Sequence, residues 1–109
     1  MATIEDFTRL DLRIGTVIQA EAFPEARVPA IKLHMDFGDL GVKRSSAQIT
    51  KRYTPEALVG KQIIAVVNFP PRRIAGFQSE VLVLGAVPSE GDVILLAPQQ
   101  GVPNGTPVA

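Results

Sequence analysis

The sequence predicts an all-β chain, rolled into one five-stranded Greek-key barrel with short helices. Three observations predict it. Short β-branched, mostly apolar runs recur between Gly and Pro punctuation. Residues Ile31 to Phe37 alternate cleanly between apolar and polar. A helix-start signal, Thr54-Pro55-Glu56, stands between the third and fourth runs rather than between every pair of strands.

Taken in order, Thr3 is followed three residues on by Asp6, a capping-box spacing, with Ile4, Phe7 and Leu10 at helical intervals. This predicts a short entry helix or turn whose apolar side plugs a neighbouring opening. Arg13 to Ala20 reads as the first strand, bounded by Phe23-Pro24. In the second, Ile31, Leu33, Met35 and Phe37 point one way and Lys32, His34 and Asp36 the other, as in an antiparallel strand with one wet face. Gly38-Asp39-Leu40-Gly41 is a tight turn, so Val42 to Gln48 should return as its hairpin partner. Thr54 as N-cap and Pro55 at the first helical position open one or two helical turns, which Gly60 stops. Lys61 to Asn68 reads as a buried strand ended by Pro70-Pro71. Ser79 to Leu84 and Val93 to Leu96 are two more short strands, and Gln99 to Ala109 looks irregular. Strands with a helix between the third and fourth form the arrangement of the OB-fold. An SH3-like small barrel is the alternative, and it would usually lack that helix.

The chain has 109 residues, which suits a single domain over 1–109 with one core. With 46% hydrophobic residues it should fold fully rather than remain a disordered tail. It contains no cysteine, which excludes disulfides, thiolate nucleophiles and cysteine metal sites together. Glu5 and Asp6 near the start are wrong for a secretory leader, and no apolar run approaches membrane-spanning length, so a cytoplasmic protein without membrane insertion is expected. His34 is the only histidine, so a metal site or a catalytic triad would have to be built on it, and nothing near it suggests a nucleophile. Phosphate-binding glycine loops are absent. The expectation is a binding protein, not an enzyme, with no cofactor and no metal.

Net charge is zero, but it is unevenly placed. Between Lys43 and Arg73 lie seven cations and one acid, Glu56, whereas both flanking segments are acidic. A neutral chain of this kind can still present one positive face.

Three segments carry a family likeness: Leu10-Asp11-Leu12-Arg13-Ile14-Gly15, then Ser45-Ser46-Ala47-Gln48-Ile49-Thr50, then Phe69-Pro70-Pro71-Arg72-Arg73-Ile74-Ala75-Gly76-Phe77-Gln78-Ser79-Glu80. In that order they resemble the tRNA-binding domain family, which includes carboxyl-terminal domains of some aminoacyl-tRNA synthetases and free-standing tRNA-binding dimers. The likeness runs from about residue 6 to the end and is nearest a free-standing, export-related chaperone branch. It implies an OB-fold homodimer whose chain-end extensions help form the dimer contact. It further implies binding of unfolded or precursor polypeptides in cooperation with the export machinery, or binding of tRNA by shape. Where tRNA binders place Ser-Gly, this chain has Ser45-Ser46-Ala47-Gln48, a departure that weakens the tRNA reading.

Residue by residue, Arg72 and Arg73 stand in a proline-initiated loop where OB-folds receive ligands, and their planar forks suit phosphate. The alternative is that both are simply solvated. Lys43, Arg44, Lys51 and Arg52 flank the third strand, where they serve either a ligand or protection of a strand edge. Ser45, Ser46 and Gln48 form a neutral polar patch able to meet a phosphate, a ribose hydroxyl or a peptide backbone. Phe69, Phe77 and Tyr53 can stack bases, line an apolar groove or belong to the core. Ser79 joins the candidate binding set. Glu80, in an apolar run, needs a partner and is expected to pair with Arg72 or Arg73 as structural support.

Overall fold

A computed structural model describes all 109 residues. The main sheet has five antiparallel strands. The first, β1 (Leu12–Ala22), carries β2 (Ile31–Asp36) on one side and β4 (Gln62–Val66) on the other. Next to β2 lies β3 (Val42–Ala47), and a short segment, β7 (Leu82–Val83), extends the sheet beyond β4. The length of β1 lets it serve both neighbours: residues 12–16 pair with β4, and residues 16–22 pair with β2. Between Val17 and Gln19 the register shifts, leaving Ile18 as an extra residue. Such a bulge bends the strand and increases its twist, which curls a flat sheet towards closure.

Closure comes at β3. The Glu80 N–H donates to the Arg44 carbonyl at 2.8 Å, and the Arg44 N–H donates to the Glu80 carboxylate at 3.0 Å. The result is a nearly closed antiparallel barrel of the OB type, as predicted. Its core is the inward face of β2, where Ile31, Leu33, Met35 and Phe37 are all buried, as the alternation foretold. Val17, Ile63 and Ala65 pack against them from β1 and β4. The interposed helix α2 (Pro55–Leu58) supplies Leu58, fully buried in the same cluster. Burying one leucine contributes about 1.5–3 kcal/mol, so this single turn of helix is held by its tertiary contact rather than by its own hydrogen bonds.

Five expectations need amendment. The entry helix α1 (Ile4–Thr8) forms, and the Asp6 carboxylate accepts the Thr3 N–H at 2.9 Å, yet it plugs nothing. Ile4 is 67% exposed and Phe7 38%, whereas Leu58 of α2 is fully buried in the core. The proline-initiated loop is instead a hairpin, β5 (Arg72–Ile74) with β6 (Phe77–Ser79). Its turn residues Ala75 and Gly76 both have positive φ, at 47° and 82°, as a two-residue primed turn requires. The strand expected from Ser79 to Leu84 breaks at Glu80–Val81, where Glu80 turns to seal β3. Val93–Leu96 becomes β9 (Asp92–Leu95) and pairs with an unforeseen strand, β8 (Gly85–Ser89), which tolerates Pro88 on an exposed edge. The irregular tail also has a fixed place. Gly105 N–H donates to the Ile14 carbonyl and Val108 N–H to that of Leu12, so the tail covers the open side of β1.

Two tests follow from this packing. A Cβ added at Gly15 would lie 2.7 Å from the Phe37 ring, in a core without room for it. Gly15→Ala is expected to destabilise the fold by about 1–3 kcal/mol, measured by urea unfolding. The second concerns Arg52, whose guanidinium donates to both oxygens of the buried Asp92, with Nη2 to Oδ2 at 2.8 Å. This hydrogen bonding, aided by the guanidinium charge, holds the Asp92 carboxyl below its ordinary value. A carboxyl lowered on folding stabilises above the unfolded value of about 4, and that stability is lost as pH falls through the lowered folded value. Urea midpoints taken from pH 7 to pH 2 should therefore fall on the acid side, and Asp92→Asn should flatten that fall. Parallel profiles for the two proteins would show that the pair carries none of it.

Candidate functional site

An open groove of about 930 Å³ lies beside the β5–β6 hairpin. Ile74 of β5 forms one side and Val87, Val93 and Leu95 of the β8–β9 hairpin the other. The end of β3 and the loop preceding β2 complete it, with Val28 half exposed at that end. The lining is mostly apolar, and its rim is cationic: Arg27, Arg72 and Arg73 face Glu25. None of the three guanidiniums is paired with a carboxylate, unlike Arg9, Arg13, Arg44 and Arg52. The groove thus combines exposed apolar area with unpaired cations, the composition of a binding surface.

A second feature lies on the outer face of β2 and β3. Phe23 and Phe77 meet edge to face, with ring centroids 5.5 Å apart. The Lys32 ammonium sits 4.6 Å from the Phe23 centroid and 5.2 Å from that of Phe77, and the Arg44 guanidinium lies 5.0 Å from Phe77. Ring quadrupoles attract both cations and hold them on this wall.

A third is a smaller cavity of about 220 Å³, continuous with the groove at Ser46 and Arg72 and bounded by Ser45, Ser79, Glu80 and Phe69.

The structure brings together part of the residue set that the sequence singled out. Ser46, Gln48, Arg72 and Arg73 all line the groove, and Ser45, Ser79 and Glu80 join Ser46 and Arg72 at the small cavity. Arg44 stands on the outer wall over Phe77. Lys43 does not join it, because strand alternation sends it to the opposite face, in register with Met35. Lys51 is exposed in the turn after β3, and Arg52 is spent on Asp92. Phe77 is buried against Phe23 and supports the wall from beneath, while Phe69 is 43% exposed. The expected pairing of Glu80 with Arg72 or Arg73 is corrected. Its carboxylate lies against Arg44, 3.7 Å from Nε, since the barrel seam places that residue and not the hairpin beside it. Tyr53 neither stacks nor opens to a groove; its hydroxyl accepts the Leu95 N–H at 2.9 Å.

Sequence reasoning missed Lys32, Phe23 and the groove wall from Gly85 to Leu95. Alternation had already turned Lys32 outward. What it could not supply was that two phenylalanines far apart in the chain would meet beneath its ammonium. The β8 wall was hidden by Pro88, Ser89 and Gly91, which read as turn residues.

Comparison with known proteins agrees with the fold. A family model described as "Putative tRNA binding domain" matches residues 12–107. The methionine–tRNA ligase of Porphyromonas gingivalis is 38% identical over 104 residues, covering 95% of this chain but 15% of that enzyme. The chain thus spans about 15% of the length of the curated relatives it matches first. Among solved structures, the chaperone CsaA from Bacillus anthracis str. Ames superposes with a TM-score of 0.97 at 69% identity, covering 100% of this chain and 99% of that one. The CsaA chaperone protein from Picrophilus torridus does so with a TM-score of 0.93 at 50% identity, over 100% of both chains. On the strength of the family match across nearly its whole length, the chain belongs to the tRNA-binding domain family.

Proposed function

We propose that this chain is a chaperone-like module that binds extended or unfolded polypeptide, works as a homodimer in the cytoplasm and has no catalytic role. The observation that carries the reading is the apolar groove between β5 and the β8–β9 hairpin, edged by unpaired guanidiniums. A chain that has not yet folded exposes apolar side chains and free backbone groups. Such a groove can hold the first by burial, while Ser46 and Gln48 meet the second. Likeness along the full chain to structures named as CsaA chaperones supports the same reading. The exposed apolar side of α1, with Ile4, Phe7 and Leu10, supports a second copy as its cover. Clients entering export, handed to the export machinery, are the partners this reading implies. Sedimentation that returns only monomer at micromolar concentration would remove the dimer from the proposal.

The test is the aggregation of a chemically denatured client with and without this protein. Stoichiometric protein should suppress it. Val87→Asp, at a side chain 63% exposed in the groove, should weaken capture about tenfold, since burying one valine contributes about 1.5 kcal/mol and each 1.4 kcal/mol is tenfold. A client that aggregates equally in both cases sinks the proposal.

A second reading, tRNA binding, is favoured by the family itself and by the cations collected at Lys32, Arg44, Arg72 and Arg73. Affinity for tRNA should then fall steeply with salt. Arg72→Ala should reduce the log–log slope by about one unit, because one phosphate fewer is neutralised by the protein. An affinity indifferent to salt and to that substitution would exclude the reading.

A further inference from the structure

The small cavity of about 220 Å³ beside the β5–β6 hairpin is lined by a buried hydroxyl that makes one long hydrogen bond. Ser45 is only 2% exposed, on the inward face of β3. Its hydroxyl meets only the Ser79 hydroxyl, at 3.5 Å, well outside the range of about 2.5–3.0 Å for a hydroxyl–oxygen bond. A hydroxyl can donate once and accept twice, so this single long bond leaves capacity for a further partner. Glu80 adds a second open position. Its Oε1 accepts the Arg44 N–H, and Oε2 accepts nothing. At the mouth stand Phe69, one of six aromatic side chains in the whole sequence and 43% exposed, and the unpaired guanidinium of Arg72.

Size and charge narrow the occupant. A whole organic ligand takes about 300–1,000 Å³, so this cavity suits one planar group projecting from a larger molecule. Lysine or arginine side chains would meet Arg72, and aspartate or glutamate would meet Glu80. A neutral planar group remains, with faces for Phe69 and the guanidinium and a polar edge for the carboxylate and the serines. An unpaired nucleobase has that form. Glu80 can only accept, so the base must donate. Guanine presents two adjacent donors, N1–H and the N2 amino group, which match a carboxylate, and an O6 that a serine hydroxyl can reach. Adenine and cytosine set a single amino donor beside an acceptor.

We propose that this cavity is a subsite for one unpaired guanine of a bound RNA, held by Glu80 and Ser45 and stacked at its mouth by Phe69 or Arg72. The proposal rests on the tRNA reading above. It is tested with mononucleotides, so that it can fail while whole-tRNA binding, measured in parallel, survives. The full chain labelled with nitrogen-15 is titrated with GMP, AMP, CMP, UMP, ribose 5-phosphate and N-acetyltyrosinamide. GMP should shift the amide signals of Ser45, Ser46, Ser79 and Glu80 and bind about tenfold tighter than CMP or UMP, the discrimination expected of hydrogen bonds to a charged group. Glu80→Gln keeps an acceptor for the Arg44 N–H and should erase most of that preference. Ser45→Ala removes only the hydroxyl and should weaken GMP while leaving the fold intact. Equal shifts from ribose 5-phosphate would reduce the site to a phosphate contact. Shifts from N-acetyltyrosinamide alone would assign it to a polypeptide side chain. Either result, or no localised shift from any nucleotide, overturns the proposal.

Discussion

Between Arg44 and Glu80 two backbone segments exchange hydrogen bonds, one from main chain to main chain and one from main chain to carboxylate. They join β3 to the segment linking β6 and β7, and so turn a curved sheet into a barrel. The seam also decides what lies around it. It fixes where the β5–β6 hairpin leaves the wall, and with it the groove that Arg72 and Arg73 edge. It brings Ser79 towards β3, where its hydroxyl accepts the Ser46 N–H at 3.1 Å. It also turns the Glu80 carboxylate to Arg44 and leaves Arg72 and Arg73 without an ion pair. The cationic rim of the groove is in this sense a consequence of how the barrel closes.

Cations in this chain fall into two populations. Arg13 and Arg52 are committed to carboxylates, Asp11 and Asp92, and fasten the chain ends and the β9 hairpin to the barrel. Arg27, Arg72 and Arg73 have no such partner, and Lys32 is held by aromatic rings rather than by an acid. A protein of zero net charge can still attract an anionic partner where unpaired cations gather, as Arg27, Arg72 and Arg73 do at the groove against one acid, Glu25. Beside them lies apolar area that water does not favour. The two features are separate in chemistry but adjoin within one groove.

The exposed apolar residues follow the same division. Val87 and Val28 border the groove, whereas Ile4, Phe7 and Leu10 lie at the amino-terminal end.

Local chemistry was legible in the sequence wherever it acts between near neighbours. The alternation of Ile31 to Phe37 determined which face of β2 is core, and Thr54-Pro55 with Gly60 determined where α2 sits, because side-chain period and capping need no distant partner. The segments Ser45 to Gln48 and Phe69 to Glu80 marked the region of the candidate site, and most of their polar residues do line the groove or the cavity. Pairing across the chain was not legible. Glu80 chose Arg44 over the nearer Arg72, β8 formed around Pro88 because β9 was there to receive it, and Phe23 met Phe77 to hold Lys32. Each of these depends on which segments the closed barrel makes adjacent, and adjacency of that kind is a property of the three-dimensional path, not of residue spacing.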